Sequence, residues 1–157
     1  MRSRARLGVL GAAFGLALAG ISAGWAQDAT TAIDQRQNLM KTQGKATAAI
    51  KAFVEGKGDL AAAQAAGAEL LRTTASILSV FPQQTSMAEY PGKTYAKPDI
   101  WAQWNQFTQA ANTAHERAEA LNAALQGGDT AAIATAFEAM GKQGCGGCHT
   151  PFRQPKT

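Results

Sequence analysis

The residue types with the most chemical potential stand together near the C-terminal end, in Cys145-Gly146-Gly147-Cys148-His149. C-x-x-C-H is the spacing at which c-type haem is attached. Two thiols reach the two vinyl groups on one edge of a porphyrin, and an imidazole beside them stands under the iron. On a helix Cys145 is three residues from Cys148 and four from His149, so all three project from neighbouring parts of one face. Gly144, Gly146 and Gly147 would let a macrocycle lie against the backbone, at some loss of helix propensity.

Other uses of the same residues fit less well. A thioredoxin-like pair also has C-x-x-C, but in a βαβ setting, and no strand pattern is present. A zinc site needs four ligands, and only His115 is left to join the two cysteines and His149. A structural disulfide would close a tiny loop and remove little unfolded-state entropy.

These residues need a scaffold, and the composition supplies helices. The chain is rich in Ala, Gln, Leu and Lys, poor in β-branched alternation, and punctuated by glycine or proline. A first helix is expected over residues 30–54, with Ile33, Met40, Gly44, Thr47, Ile50 and Val54 as its stripe and Gly56-Lys57-Gly58 as its stop. Asp59 caps a second helix over 60–80. Residues 81–97, with Pro82, Pro91 and Gly92, form the one long connection. Pro98 and Asp99 then open a long third helix whose seam, Ile100, Trp104, Phe107, Ala111, Ala114, Ala118, Leu121 and Leu125, alternates steps of four and three. Gly127-Gly128 ends it, and Asp129 caps a fourth helix that carries Ile133, Phe137 and Met140 into the cysteine motif. The expected fold is all-α, an antiparallel up-and-down four-helix bundle with one long loop between helices 2 and 3.

The first residues read as a secretory signal: Arg2, Arg4 and Arg6, an uncharged apolar run from 7 to 21, then Gly24-Trp25-Ala26 as a cleavage site. The expected division is a cleaved leader over 1–26 and a single domain over 27–157. The whole chain has 15 Lys and Arg against 11 Asp and Glu. Removing the three leader arginines and no acid leaves twelve against eleven, so no basic excess points to nucleic acid.

The chain resembles the class II c-type cytochromes, the cytochrome c prime family, and within it the low-spin cytochrome c-556 type. The resemblance rests on Cys145 to His149 followed by Phe152-Arg153, on Arg36-Gln37-Asn38-Leu39-Met40, and on Lys97-Pro98-Asp99-Ile100-Trp101. It covers essentially all of 27–157. It implies one haem c per chain, bound covalently from the last helix through Cys145 and Cys148, with His149 on the iron, and a bacterial periplasmic location.

For the second axial position the sulfur and imidazole candidates are Met40, Met87, Met140 and His115. Met87 is in the long loop, Met140 shares the attachment helix, and His115 sits among Glu116, Arg117 and Glu119. Taken alone, Met40 reads equally well as a core methionine filling a gap. The resemblance implies ligation by Met40 if the low-spin branch is the right one. In the other branch that position only faces a five-coordinate high-spin iron, which binds nitric oxide or carbon monoxide. Arg36 and Arg153 read as solvated charges, and the resemblance places them near a haem propionate.

The expectation is therefore a periplasmic electron-transfer protein and not an enzyme. Its partners would be redox proteins, without nucleic acid or a small-molecule substrate, and with membrane contact only through the leader. Monomer and homodimer are both open. N-terminal sequencing of exported protein should find a chain that begins near Gln27, and recovery of an intact Met1 from the periplasm would contradict the processing.

Overall fold

The structure, a computed structural model, describes residues 21–155, with side chains described from Asp28 onward. The leader expected over 1–26 lies outside the described residues, apart from the backbone of 21–26. That backbone belongs to α1, Ile21–Val54, so the first helix starts nine residues earlier than expected. No proline interrupts the stretch before Thr30, and its alanines favour helix.

Asp59 and Asp129 act alike. Each accepts the backbone N–H three residues on, from Ala62 at 2.8 Å and Ala132 at 2.7 Å. Such caps are each worth about 1 kcal/mol. They start α2, Leu60–Thr74, and α5, Thr130–Ala139. Gly56 and Gly128 have φ of +71° and +76°, the left-handed conformation that lets the chain leave the preceding helix.

Two expected helices are broken. The second ends at Thr74 and continues only as a 3₁₀ turn, Leu78–Val80, ahead of Pro82. The third begins as a single turn, α3, Asp99–Ala102; Gln103, at φ −122° and ψ 43°, separates it from α4, Trp104–Gly127. The apolar seam continues across the break, with Ile100, Phe107, Ala111, Ala114, Ala118, Leu121 and Leu125 all buried. The last helix is also divided. A π-helical stretch, Met140–Gly146, joins α5 to α6, Gly147–Phe152.

Four helical arms make the up-and-down bundle: α1, α2, α4, and the stretch from α5 to α6. α1 packs on α2, α2 on α4, α4 on α5 and the π stretch, and α5 closes back on α1. Among the described residues there is no strand, only one bridge between Ala96 and Arg153. The core has two parts. One end holds Ile50, Leu70, Leu121, Leu125, Ile133 and Met140. The other is more aromatic, with Ile77, Phe81, Ile100, Phe107 and Phe152.

Close approach of α2 and α4 depends on Gly67. A Cβ there would stand 2.5 Å from Leu125 Cδ1 and 3.3 Å from Asn122 Oδ1. Gly67→Ala should therefore destabilise by about 1–3 kcal/mol through overpacking, outweighing the gain in helix propensity of about 1 kcal/mol. At Gly127 an added Cβ meets nothing within 4 Å, and Gly127→Ala should not destabilise. Urea midpoints check both; a more stable Gly67→Ala would show that the two helices have room to spare.

Candidate functional site

The π-helical stretch decides how the cysteine motif is presented. Gly144 sits where a Cβ would come within 2.9 Å of Met140 Sδ and 3.4 Å of the Ala114 backbone. A side chain there would have to displace the end of Met140, and the attachment segment lies close on α4. π-Helical insertions are rare and concentrate at functional sites. Their consequence here is that the two cysteines face different surroundings. Cys145 packs against the Ile50 part of the core, whereas Cys148 packs with Phe107 and Phe152. Cys148 and His149 line a cavity of about 450 Å³, and Cys145 does not. A continuous helix would have put all three on one face.

Both thiols are free and half-buried. Burial, together with the neighbouring Cys145, pushes the Cys148 thiol up to about 11, and burial raises Cys145 as well. At neutral pH both are S–H groups rather than thiolates. Burial, assisted by the charge of Arg153, lowers the pKa of His149. Its imidazole is thus neutral near pH 7, the form that ligates metals.

α1 supplies another wall of the same cavity. Arg36, Gln37, Met40, Lys41 and Gly44 line it, because positions 36, 37, 40, 41 and 44 share one side of a helix. Arg36 is the unexpected member, only 4 % exposed. Its guanidinium donates to Thr85 Oγ1 at 3.2 Å, the Thr85 carbonyl at 2.9 Å and Thr94 Oγ1 at 2.9 Å. It also lies 4.7 Å from the centre of the Phe81 ring, within cation–π range. Burial lowers its pKa to about 10, still far above neutral, so the group stays charged. Among the described residues no carboxylate pairs with it.

Through Arg36 the long connection is fixed to α1, and a second set of bonds fixes it to the end of α6. Gln37 Nε2 donates to the Lys93 carbonyl at 2.6 Å. Lys97 N–H donates to the Phe152 carbonyl at 3.0 Å, Gln154 N–H to the Tyr95 carbonyl at 2.8 Å, and Lys97 Nζ to the Pro151 carbonyl at 2.7 Å. The segment that supplies His149 and the helix that supplies Met40 are thereby tied to one loop. Phe107 forms the floor between them, 4.7 Å from Phe81 and 5.4 Å, edge-on, from Phe152.

Of the residues singled out from sequence, Cys148, His149, Met40, Arg36 and Arg153 all line this cavity. Met140 is instead buried in the far part of the core, and Met87 donates its N–H to Ala96 in the loop. His115 contacts Thr74 Oγ1 at 3.1 Å and Glu119 at 3.6 Å, away from the site. Thr85, Thr94 and Ala96 were not anticipated, since nothing in the local pattern links positions 85 and 94 to position 36.

These residues fit a covalently held haem. The cavity falls in the range of about 300–1,000 Å³ typical of cofactor sites and has an apolar lining of Ile77, Phe81, Ala96, Ile100, Phe107 and Phe152. It carries a thiol, an imidazole and a thioether. It also holds a buried cation with no protein counter-ion, which suits an acidic group on the ligand. Arg36→Lys keeps the charge but cannot span both threonines and the Phe81 face. It should lower stability by about 1–3 kcal/mol, the range for buried acceptors left unsatisfied. An unchanged urea midpoint would show that the loop does not depend on the guanidinium.

The whole of this region falls within residues 31–153, which match the family model described as cytochrome C′. The chain is 32 % identical over 123 residues to the cytochrome c′ of Pararhodospirillum photometricum, covering 78 % of this chain and 95 % of that protein. It is 31 % identical over 126 residues to the cytochrome c-556 of Agrobacterium fabrum strain C58, covering 79 % and 82 %. The solved cytochrome c′ of Thermochromatium tepidum superposes with a TM-score of 0.75 at 25 % identity, over 81 % of this chain and 97 % of that one. With the motif, the bundle and the cavity in agreement, the chain belongs to the cytochrome c′ family, whose members carry covalent haem c.

Proposed function

We propose that this chain is a periplasmic one-electron carrier, exported through a leader over residues 1–26. Cys145 and Cys148 would hold its haem covalently, and His149 and Met40 would offer an imidazole and a thioether to the iron. The observation that carries the reading is that Met40, from α1, and His149, from α6, line one cavity with Cys148 beside the imidazole. When bound, the haem supplies a reversible Fe(III)/Fe(II) couple.

The chain's own residues do the rest. Each cysteine, held as a thiol, would attach the haem by adding across one vinyl group, sulfur to one carbon and hydrogen to the other. His149 offers a neutral imidazole. The Met40 thioether favours the ferrous state and raises the potential. Phe81, Phe107, Ile100 and Phe152 keep water from the site, and the charge on Arg36 further favours the less positive iron. Arg36 has two N–H donors beyond the three engaged with the loop, out of five on a guanidinium, and these serve a propionate; Arg153, exposed at the end of α6, would assist from the rim. With an imidazole from His149 and a thioether from Met40 both given to the iron, none of its sites would be open to a substrate, and the protein would serve as a carrier rather than an enzyme.

Replacing Met40 tests this directly. Met40→Leu keeps similar apolar volume and should cost less than about 1.5 kcal/mol while removing the donor atom. The variant should hold its haem through acid-acetone extraction, turn high-spin, bind carbon monoxide readily after reduction, and show a lower midpoint potential. A leucine variant with an unchanged spectrum would overturn the ligand assignment and leave a gas-binding cytochrome. Loss of all colour on extraction of the wild type would overturn attachment itself.

A further inference from the structure

Charges on this bundle are sorted between its two ends. Away from the cavity the lysines and arginines are mostly in ion pairs: Lys51 and Lys57 share Glu55, Arg72 pairs with Glu69, and Lys142 with Glu138. Six cations have no ion pair among the described residues, and they are Arg36, Lys41, Lys45, Lys93, Arg117 and Arg153. Arg36, Lys41 and Arg153 line the cavity, Lys45 follows Gly44 on its wall, and Lys93 precedes Thr94 on its wall. Only Arg117 lies elsewhere. No acidic residue lines the cavity. Of the acids of the adjoining loop, Asp99 pairs with Lys97 at 3.7 Å, while Glu89 keeps its charge as it accepts from the N–H and hydroxyl of Ser86; Asp34 is exposed on α1.

We infer that the mouth of this cavity, with Lys41, Lys45, Lys93 and Arg153 around it, is the docking surface for an acidic redox protein. The inference rests on the haem reading above and adds the chemistry of the partner. Net charge does not supply the attraction, because the chain without its leader is nearly balanced. The asymmetry does: three unpaired cations, Arg36, Lys41 and Arg153, line one opening, exposed Lys45 and Lys93 adjoin its lining residues in sequence, and two propionates would offset only two of the five. A field of that kind orients an acidic partner with its redox centre towards the haem edge and raises the encounter rate by about 10–1,000-fold at low salt. Because Lys41, Lys45, Lys93 and Arg153 lie at the surface, salt should screen the effect.

The test uses the holoprotein and anionic probes of known charge. Hexacyanochromate(III), paramagnetic and redox-inert, should broaden the backbone amide resonances around Lys41, Lys45, Lys93 and Arg153 and leave those around Lys51, Lys57 and Arg72 sharp. Hexacyanoferrate(III), which takes one electron from the reduced protein to become hexacyanoferrate(II), should react more slowly as ionic strength rises. Poly-L-glutamate, as a model acidic polypeptide, should compete with it. Neither Lys45 nor Lys93 lines the cavity, so Lys45→Glu with Lys93→Glu should keep the haem spectrum while slowing hexacyanoferrate(III) about tenfold at low salt. Lys51→Glu with Lys57→Glu should change that rate by less than about twofold. Even broadening over both ends, a rate insensitive to salt, or no competition by poly-L-glutamate would overturn the inference. A pyridine haemochrome spectrum of the same sample judges the haem reading separately, and the chromium map, which needs no electron transfer, decides the docking surface whichever way that goes.

Discussion

A guanidinium buried without a carboxylate holds the cavity end of this bundle together. Desolvating a full charge is expensive, and three hydrogen bonds and one aromatic face offset it only in part. Arg36 therefore imposes a condition on its surroundings. Thr85 and Thr94 must stay at 2.9–3.2 Å, which requires residues 81–97 to fold down on α1 rather than extend into solvent. The loop in turn reaches the end of α6 through Lys97, Tyr95 and their partners. The wall that carries Met40 and the segment that carries His149 are positioned by one network. An apolar residue could fill a merely structural role at less desolvation cost, and this supports the proposal that Arg36 also faces an acidic group of the haem.

The second constraint is steric and comes from the far side of the attachment segment. Met140 fills the core with its sulfur against Gly144 and α4, which fixes the start of the motif. The chain then widens into a π-helical stretch before His149. The widening places Cys145 toward the aliphatic core and Cys148 toward the aromatic one. The two thiols are thus held from two directions, and Gly144, where an added Cβ would meet Met140 and Ala114, lets the segment lie close on α4. Aliphatic packing secures the far end of the bundle, while the aromatic ring pairs around Phe107 shape the site.

Much of this was legible in the sequence because it is local or periodic. The seam from Ile100 to Leu125 alternates fours and threes, and the structure buries it. Asp59, Asp129, Gly56 and Gly128 carry their conformational preferences wherever they stand. The C-x-x-C-H spacing is itself the chemistry. The π stretch was not legible, since helical periodicity assumes 3.6 residues per turn and nothing in the local pattern marks an added residue. The break at Gln103 likewise interrupts a seam whose spacing continues unchanged. Arg36 looked like a surface charge and Gly44 like part of an apolar stripe; the structure buries the first and exposes the second. Their environment depends on residues 85 and 94, about fifty positions away, and no local pattern encodes such a pairing.

The account turns on the iron having two protein ligands, one from each wall of the cavity. Electron paramagnetic resonance of the oxidised wild-type protein reads this most directly. A low-spin ferric signal, accompanied by the weak near-infrared charge-transfer band of methionine sulfur on iron, is the predicted result. A high-spin signal without that band would contradict it, leaving Met40 as a packing residue and the iron open to small gases.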